Sequence, residues 1–340
     1  MRAAAFTELT GPDGVSVVNQ PTPEPGRGEA VVDVEACSIN HHDLWILNGE
    51  SSMVDPTDLP FVSGLDVAGT VSDVGEGVTG VEPGDRVVLC PNETCGTCRF
   101  CREGPENLCA DYSLYHGGLA ESARVEASRL LRLPDGVDAT TAAALPTAYL
   151  TAYHMLRRAE VEPGDLLFVP GATGGVGVAA VQLATLQGVR TVGTSSSASK
   201  LETLADLGAD HTIKGTDPET LRSAVADVGR PDAVLNHLGG AYTGLGLDVM
   251  RRGGRMVVCG RTAGATSEID VPDLFLGHKR VIGSTMGTQA DLERLVDLVA
   301  SGDLSPRIDR TFPLEETGAA FATMQERDTL GKLVVTTSSR

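Results

Sequence analysis

The sequence predicts an α/β protein: a small barrel-like β domain followed by a doubly wound parallel-sheet domain. Three observations carry this. Residues 1–130 alternate short apolar runs with Gly and Pro punctuation. From about residue 139, strand-length and helix-length apolar segments alternate. One of those strands, Leu166–Val169, runs straight into a glycine-rich turn and then an apolar helix. Strands that alternate with helices of this length are joined by crossovers, which makes the sheet parallel.

In the first region Ala30–Ala36, Val67–Val74 and Asp85–Leu89 read as strands. Turn signals separate them at Pro25-Gly26, Gly75–Gly77 and Pro83-Gly84. Ala139–Ala159 is rich in Ala and Leu and reads as one or two helices, broken or kinked at Pro146. Then come strand Leu166–Val169, a helix from Gly175, strand Arg190–Gly193, helix Ser199–Leu207, strand Ala233–Leu235, a helix near Tyr242–Met250 and strand Arg255–Cys259. The tail carries an amphipathic helix on Leu292, Leu295, Val296 and Val299 and a last strand, Lys332–Thr336, and is expected to return to the first domain. The domains expected are 1–130 with 286–340, and 131–285, in a chain of 340 residues long enough for two cores.

A formal net charge of −19 and a pI near 4.7 oppose binding to phosphate backbones and to anionic membranes. Lys200, Lys214, Lys279 and Lys332 are the only lysines. Few lysines, many acids and few aromatics suggest a salt-adapted (halophilic) cytoplasm, an acidic mesophilic surface being the alternative. Met1–Leu9 lacks a basic region leading into a long apolar core, and no apolar run reaches the roughly 18–20 residues that span a bilayer. A cytoplasmic protein is therefore expected, with its seven cysteines as thiols or metal ligands.

The turn after Leu166–Val169 reads Ala172-x-Gly174-x-x-Gly177. Gly174 lets the backbone approach a pyrophosphate, and Gly177 allows close helix–sheet packing. The amides of Gly175 and Val176 and the helix dipole favour phosphate charge. A glycine-rich turn in an unrelated α/β fold is the alternative. Where an acid would bind the ribose of NAD, the chain has Gly193-Thr194-Ser195-Ser196-Ser197, with Lys200 beyond. Hydroxyls and a lysine suit a 2′-phosphate, so NADP(H) is expected over NAD(H), although one of the serines can equally cap a helix.

Cys95, Cys98, Cys101 and Cys109 follow the spacing C-x2-C-x2-C-x7-C, within a lobe at about 90–112. Four thiolates close a tetrahedral zinc shell with no position left for water, which makes one structural Zn²⁺ the expectation. An iron–sulfur cluster or a metal-free redox lobe is the alternative. Cys37, Cys90 and Cys259 read as small buried residues.

With Gly64-Leu65-Asp66-Val67-Ala68-Gly69, Pro83–Val87, the cysteine lobe, Leu150–Tyr153, Gly171–Gly177, Gly208-Ala209-Asp210 and Gly331-Lys332, the chain resembles the medium-chain dehydrogenase/reductase superfamily over nearly its whole length. The resemblance implies a GroES-like catalytic domain, a Rossmann cofactor domain and an active-site cleft between them. It implies that Thr151 lies near the nicotinamide, and that Leu238, Cys259, Gly260, Ser284 and Met286 end strands or begin loops on the cofactor side. It also implies that Lys332 faces the cleft, and that residues 255–285 form the edge that pairs subunits, giving a homodimer or homotetramer. The alcohol dehydrogenases of this family hold a catalytic zinc on Cys, His and Cys. Here those positions carry Asn40, Leu65 and Thr147, and a metal built on His41-His42-Asp43 lacks a third ligand. Asn40 with Asp43, and Gly64-x-Asp66, are similar to the quinone oxidoreductase and enone reductase branch.

Without a metal electrophile, donors must stabilise charge on the substrate oxygen. The candidates are the Asn40 amide, the His42 imidazole and Tyr149, each with a structural hydrogen bond as its alternative role. The expected reaction is NADPH-dependent reduction of a small-molecule quinone or α,β-unsaturated carbonyl. A zinc alcohol dehydrogenase with unrecognised ligands, or an NADPH-binding protein with little turnover, are the competing readings.

Overall fold

A computed structural model describes residues 1–337. The chain divides into two compact units, Met1–Thr147 with the chain from Thr288 onward, and Ala148–Gly287.

In chain order the elements are β1 (Arg2–Phe6), β2 (Val15–Asn19), β3 (Glu29–Ser38), α1 (His41–Leu47), β4 (Asp66–Val74), β5 (Arg86–Leu89), β6 (Asn92–Glu93), α2 (Arg99–Glu103), β7 (Ser113–Leu114), β8 (Ser122–Glu126), β9 (Leu130–Arg132) and α3 (Ala139–Ala143). The second unit holds α4 (Leu150–Arg158), β10 (Leu166–Val169), α5 (Gly175–Leu186), β11 (Arg190–Ser195), α6 (Ala198–Asp206), β12 (His211–Lys214), α7 (Pro218–Val228), β13 (Ala233–Asn236), α8 (Ala241–Val249), β14 (Arg255–Val258), α9 (Val271–Leu276) and β15 (Arg280–Gly283). The chain then returns to the first unit with α10 (Gln289–Ala300), β16 (Ile308–Pro313), α11 (Thr317–Gln325) and β17 (Lys332–Thr336).

The expected boundary at residue 130 falls early. Helix α3 packs on β3 and β4 of the first unit, so the division comes at Thr147. The second boundary, expected at 286, falls at Thr288. Of the expected segment 286–340, residues 338–340 lie outside the described residues. Pro146 acts as anticipated: α3 ends at Ala143, a π-type turn spans Leu145–Tyr149, and α4 begins at Leu150. Proline has no N–H to donate to the turn before it.

The first unit is organised on β3, a ten-residue strand half of which is Ala and Val. Antiparallel β4 lies along one side of β3. The other side is shared by β8 at Glu29–Asp33 and β17 at Ala36–Ser38. Strands β5 and β9 extend the sheet past β4, and β16 runs parallel to β17. One consequence matters for the site. The pairing of Val334 with Ser38 sets Lys332 against the start of α1, and the Ile39 N–H donates to the Leu333 carbonyl at 3.1 Å.

The second unit has a six-stranded sheet in the order β12-β11-β10-β13-β14-β15, every recorded pair parallel. All four residues of β10 are buried, as its unbroken apolar run requires when helices cover both faces. The strand order reverses between β10 and β13, and in such sheets ligands bind beyond the carboxyl ends of the strands at that reversal. The glycine-rich turn leaves β10 there. No described helix is long and apolar enough to cross a membrane.

Candidate active site and metal centre

In the second unit the turn after β10 is shaped by two glycines. Gly171 has φ +64°, which Cβ-bearing residues rarely adopt. A Cβ on Gly177 would lie 2.6 Å from the Ala172 Cα, so α5 packs on the turn as closely as the fingerprint requires. Gly174 is the N-cap of α5, and its carbonyl accepts from the Val178 N–H at 2.9 Å. The amides of Gly175, Val176 and Gly177 therefore precede the first intrahelical bond. A Cβ on Gly174 would meet only the Gly171 carbonyl, at 3.9 Å. The turn is thus open over Gly174, which fits a pyrophosphate lying against its backbone.

Strand β11 anchors the turn: the Gly171 N–H donates to Thr194 Oγ1 and the Ala172 N–H to the Thr194 carbonyl, at 3.0 and 2.9 Å. Ser195 departs from its expected role. It is buried, and its hydroxyl pairs with Thr173 Oγ1 at 3.2 Å while accepting from the Ser197 N–H at 3.3 Å, so it braces the turn rather than facing a ribose phosphate. Ser197 caps α6, the alternative role foreseen for one serine. Ser196 is exposed, and Lys200 is half-buried in the first turn of α6.

The nicotinamide-side residues expected from the second unit come together in part. Thr151 Oγ1 donates to Met286 Sδ at 3.7 Å, and Met286 has φ +50°, unusual for a side chain of this size. The Ser284 hydroxyl is buried with no hydrogen-bond partner among the described residues, an orphan that a ligand amide would satisfy. Asn236 accepts from the Leu238 and Gly239 N–H groups and so fixes the loop after β13, where the half-buried Leu238 side chain sits beside Gly171. Gly260 serves packing: a Cβ there would lie 2.0 Å from the His237 carbonyl. Burial pushes the Cys259 thiol up to about 12, which leaves it inert. Tyr149 is a correction. It is only 1% exposed and its hydroxyl donates to Gln182, so it is a core residue and not a proton donor to substrate.

In the first unit, Asn40, Asp66, Thr147 and Lys332 converge. The fully buried Asp66 carboxylate accepts from Ser38 Oγ (2.6 Å), Asn40 Nδ2 (2.9 Å) and Thr147 Oγ1 (2.5 Å), and pairs with Lys332 Nζ at 3.4 Å. The ammonium also donates to the Ile39 carbonyl at 3.0 Å and to Asn40 Oδ1. Two expectations change here. Asn40, 7% exposed with both ends of its amide engaged, positions the start of α1 instead of offering a donor to substrate. Lys332, 3% exposed, has its three N–H groups directed at protein oxygens, so it does not reach out to a cofactor. An ammonium, an amide and a hydroxyl around one carboxylate do not fit a catalytic zinc, which takes thiolate, imidazole or carboxylate ligands.

His42 is half-buried in α1, and its Nε2 lies 3.4 Å from Nε2 of His116. The rings stack at 5.3 Å and 23°. His116 was invisible to sequence reasoning, because contact across 74 residues leaves no local pattern.

The four cysteines of the lobe come together. Cys95, Cys98, Cys101 and Cys109 place their sulfurs within 4.8 Å of one another, the only such His/Cys/Asp/Glu group among the described residues. The recorded Sγ–Sγ separations, 3.8 Å for Cys95–Cys101 and 3.5 Å for Cys98–Cys101, match the edge of a tetrahedron with zinc–sulfur bonds of about 2.3 Å. N–H donors face the sulfurs: Cys98 N–H to Cys95 Sγ at 3.3 Å and Cys95 N–H to Cys109 Sγ at 3.4 Å. Hydrogen bonds from the Thr97 N–H, the Thr97 hydroxyl and the Cys98 N–H bring the Cys95 thiol down to about 6. By contrast, burial raises Cys90 to about 11 and Cys37 well above its ordinary value, so these two remain thiols.

Comparison with known proteins gives the family. The family model described as the alcohol dehydrogenase GroES-like domain matches residues 26–135, and that described as zinc-binding dehydrogenase matches residues 175–301. The acryloyl-coenzyme A reductase of Metallosphaera sedula is 30% identical over 331 residues, covering 95% of this chain and 97% of its own. A crystal structure of an NAD-dependent alcohol dehydrogenase, 34% identical, superposes with a TM-score of 0.89 over 99% of both chains. A 2-octenoyl-CoA carboxylase reductase in complex with NADP and 2-octenoyl-CoA, 27% identical, superposes with a TM-score of 0.91 over 99% of this chain and 87% of that one.

Proposed function

The chain belongs to the medium-chain dehydrogenase/reductase superfamily as an NAD(P)-dependent oxidoreductase, and from that premise we propose that it reduces an α,β-unsaturated carbonyl with NADPH and uses zinc only in the four-cysteine lobe. The observation that carries this is the Lys332–Asp66 pair, held by Asn40 and Thr147 where the family's alcohol dehydrogenases place metal ligands. Hydride arriving at the β-carbon of a conjugated carbonyl leaves an enolate, which hydrogen bonds and a proton donor can stabilise. An unactivated alcohol would form an alkoxide, for which a Lewis acid is the usual support. The names of the acryloyl- and octenoyl-CoA relatives favour a thioester as the carbonyl; a quinone is the other acceptor of the same kind.

The bound dinucleotide supplies the hydride. The first-turn amides of α5 hold its pyrophosphate, and Ser196 with Lys200 faces the 2′-phosphate. Thr151, Ser284 and Met286 take the nicotinamide end. His42 gives the proton. Free cysteines and a dependence on NADPH suit the cytoplasm. Ile269 just before α9, Val271, Phe275 and Leu276 on it, and Val281 on the edge strand β15 are exposed, which supports pairing of subunits there.

The deciding experiment offers enoyl thioesters, enals, enones, quinones and alcohols with each cofactor at high salt, beside metal analysis and sedimentation of the same preparation. We expect turnover of conjugated acceptors with NADPH, one zinc per chain, and the mass of a dimer or tetramer. Alcohol oxidation that disappears with a second zinc would overturn the proposal, as would NADPH binding without turnover of any acceptor. Lys200→Glu should lower the preference for NADPH over NADH roughly 10- to 100-fold, the loss of one charge-assisted hydrogen bond. An unchanged preference for NADPH would show that Lys200 does not read the 2′-phosphate.

A further inference from the structure

We propose that His116 is a positioning residue, which orients His42 as the proton donor through a hydrogen-bond chain ending on the buried carboxylate of Asp43. The proposal rests on the role given to His42 above. The chain runs from His42 Nε2 to His116 Nε2 at 3.4 Å, from His116 Nδ1 to Ser63 Oγ at 3.3 Å, and from Ser63 Oγ to Asp43 Oδ1 at 2.5 Å. Ser63 and Asp43 are fully buried. Asp43 is also fixed by the Asn40 N–H on Oδ2 (2.8 Å) and the Gly64 N–H on Oδ1 (3.1 Å). Phe61 packs against His116, with ring centroids 5.2 Å apart.

The direction of every link follows from the last one. A carboxylate only accepts, so the single hydroxyl proton of Ser63 goes to Asp43. The Ser63 oxygen then accepts, which puts the His116 proton on Nδ1 and leaves Nε2 as a lone pair. His42 must therefore donate from Nε2. Neutral His42 is held as the Nε2–H tautomer, and its imidazolium carries the transferable proton on Nδ1, the nitrogen not engaged with His116. Burial keeps the His116 imidazole below the ordinary histidine value; Asp43 opposes this, His42 adds to it, and Glu93 opposes it. A neutral His116 is what the chain needs in order to accept.

In the step itself, the Nδ1–H bond of the His42 imidazolium breaks and a C–H bond forms at the α-carbon of the enolate left by hydride from NADPH. Nδ1 keeps the bonding pair, Nε2–H stays on His116, and water restores the proton. Asp43 does not change protonation.

The test is nitrogen-15 NMR of the His42 ring in the full-length chain, wild type, Ser63→Ala, Ser63→Thr and His116→Phe, the last keeping a ring against Phe61. In wild type we expect the neutral Nε2–H tautomer. In Ser63→Ala and His116→Phe the preference is lost; Ser63→Thr restores it. With crotonyl thioester and NADPH, kcat should fall about tenfold or more in the same two variants while KM holds. A wild-type Nδ1–H tautomer, or a His42 tautomer unmoved by both substitutions, would overturn the chain. The expected tautomer shift in a protein that reduces no acceptor upholds the chain and overturns the reductase reading instead.

Discussion

Lys332→Met is expected to lower the stability of the first unit by about 3–5 kcal/mol, the cost of a buried carboxylate stripped of its cation. Asp66 is fully buried, and its other partners, Ser38, Asn40 and Thr147, are neutral donors. Methionine matches the lysine stem in length, so little packing is lost; what disappears is the charge together with the bonds to the Ile39 carbonyl and Asn40 Oδ1. Guanidinium unfolding reads the effect as a lower midpoint. Adding Asp66→Asn to Lys332→Met removes the stranded charge and should restore more than half of the loss, whereas two independent sites would add their costs. If Lys332 served a cofactor instead, Lys332→Met would weaken NADPH binding and leave the midpoint within about 0.5 kcal/mol of wild type.

What the sequence made legible is what short-range chemistry controls. The run Leu166–Val169 followed by glycines could be placed to the residue, since burial on both faces demands an unbroken apolar strand and the turn demands glycine. The cysteine quartet was legible for the same reason: its ligands lie within fifteen residues of one another. Edge elements were not. His211–Lys214 and Arg280–Gly283 flank the parallel sheet with mostly exposed side chains, so no apolar pattern marks them as strands. In the candidate site, sequence reasoning assigned Asn40 to the substrate and Lys332 to the cofactor cleft, and did not foresee their bond to each other. The pair is joined across 292 residues by the register of β17 on β3, and a register of that range cannot be read from composition or spacing. Tyr149 shows the opposite failure. It stands beside the expected Leu150–Tyr153 segment, yet the π-type turn imposed by Pro146 rotates it into the core.

Cys98→Ser should cost the protein its zinc and the order of the lobe while leaving the dinucleotide fold of the second unit intact. Structural zinc sites of this kind contribute about 10–16 kcal/mol of apparent binding free energy in isolated zinc-finger peptides, and the lobe has little else to hold it. Its one α-helix is the five-residue α2 with no buried residue, a single 3-10 turn spans Glu106–Leu108, β6 and β7 have two residues each, and Cys95, Cys98 and Cys101 are themselves only half-buried. Removing one thiolate leaves Cys95, Cys101 and Cys109 as a three-sulfur set that no longer closes a tetrahedral zinc shell. Hydrogen exchange should then report loss of protection across residues 95–115, where the Tyr112 hydroxyl donates to Asn92 at 2.8 Å and the Tyr115 N–H bonds the Pro91 carbonyl at 2.9 Å. Over β10 and α5 protection should not change, and NADPH affinity should stay within about twofold, because no ligand of the zinc comes from that unit. A chain that keeps its zinc and its protection after Cys98→Ser would show that the metal is held elsewhere. One that keeps its fold yet loses all reductase activity, with unchanged NADPH binding, would show that the lobe metal takes part in chemistry.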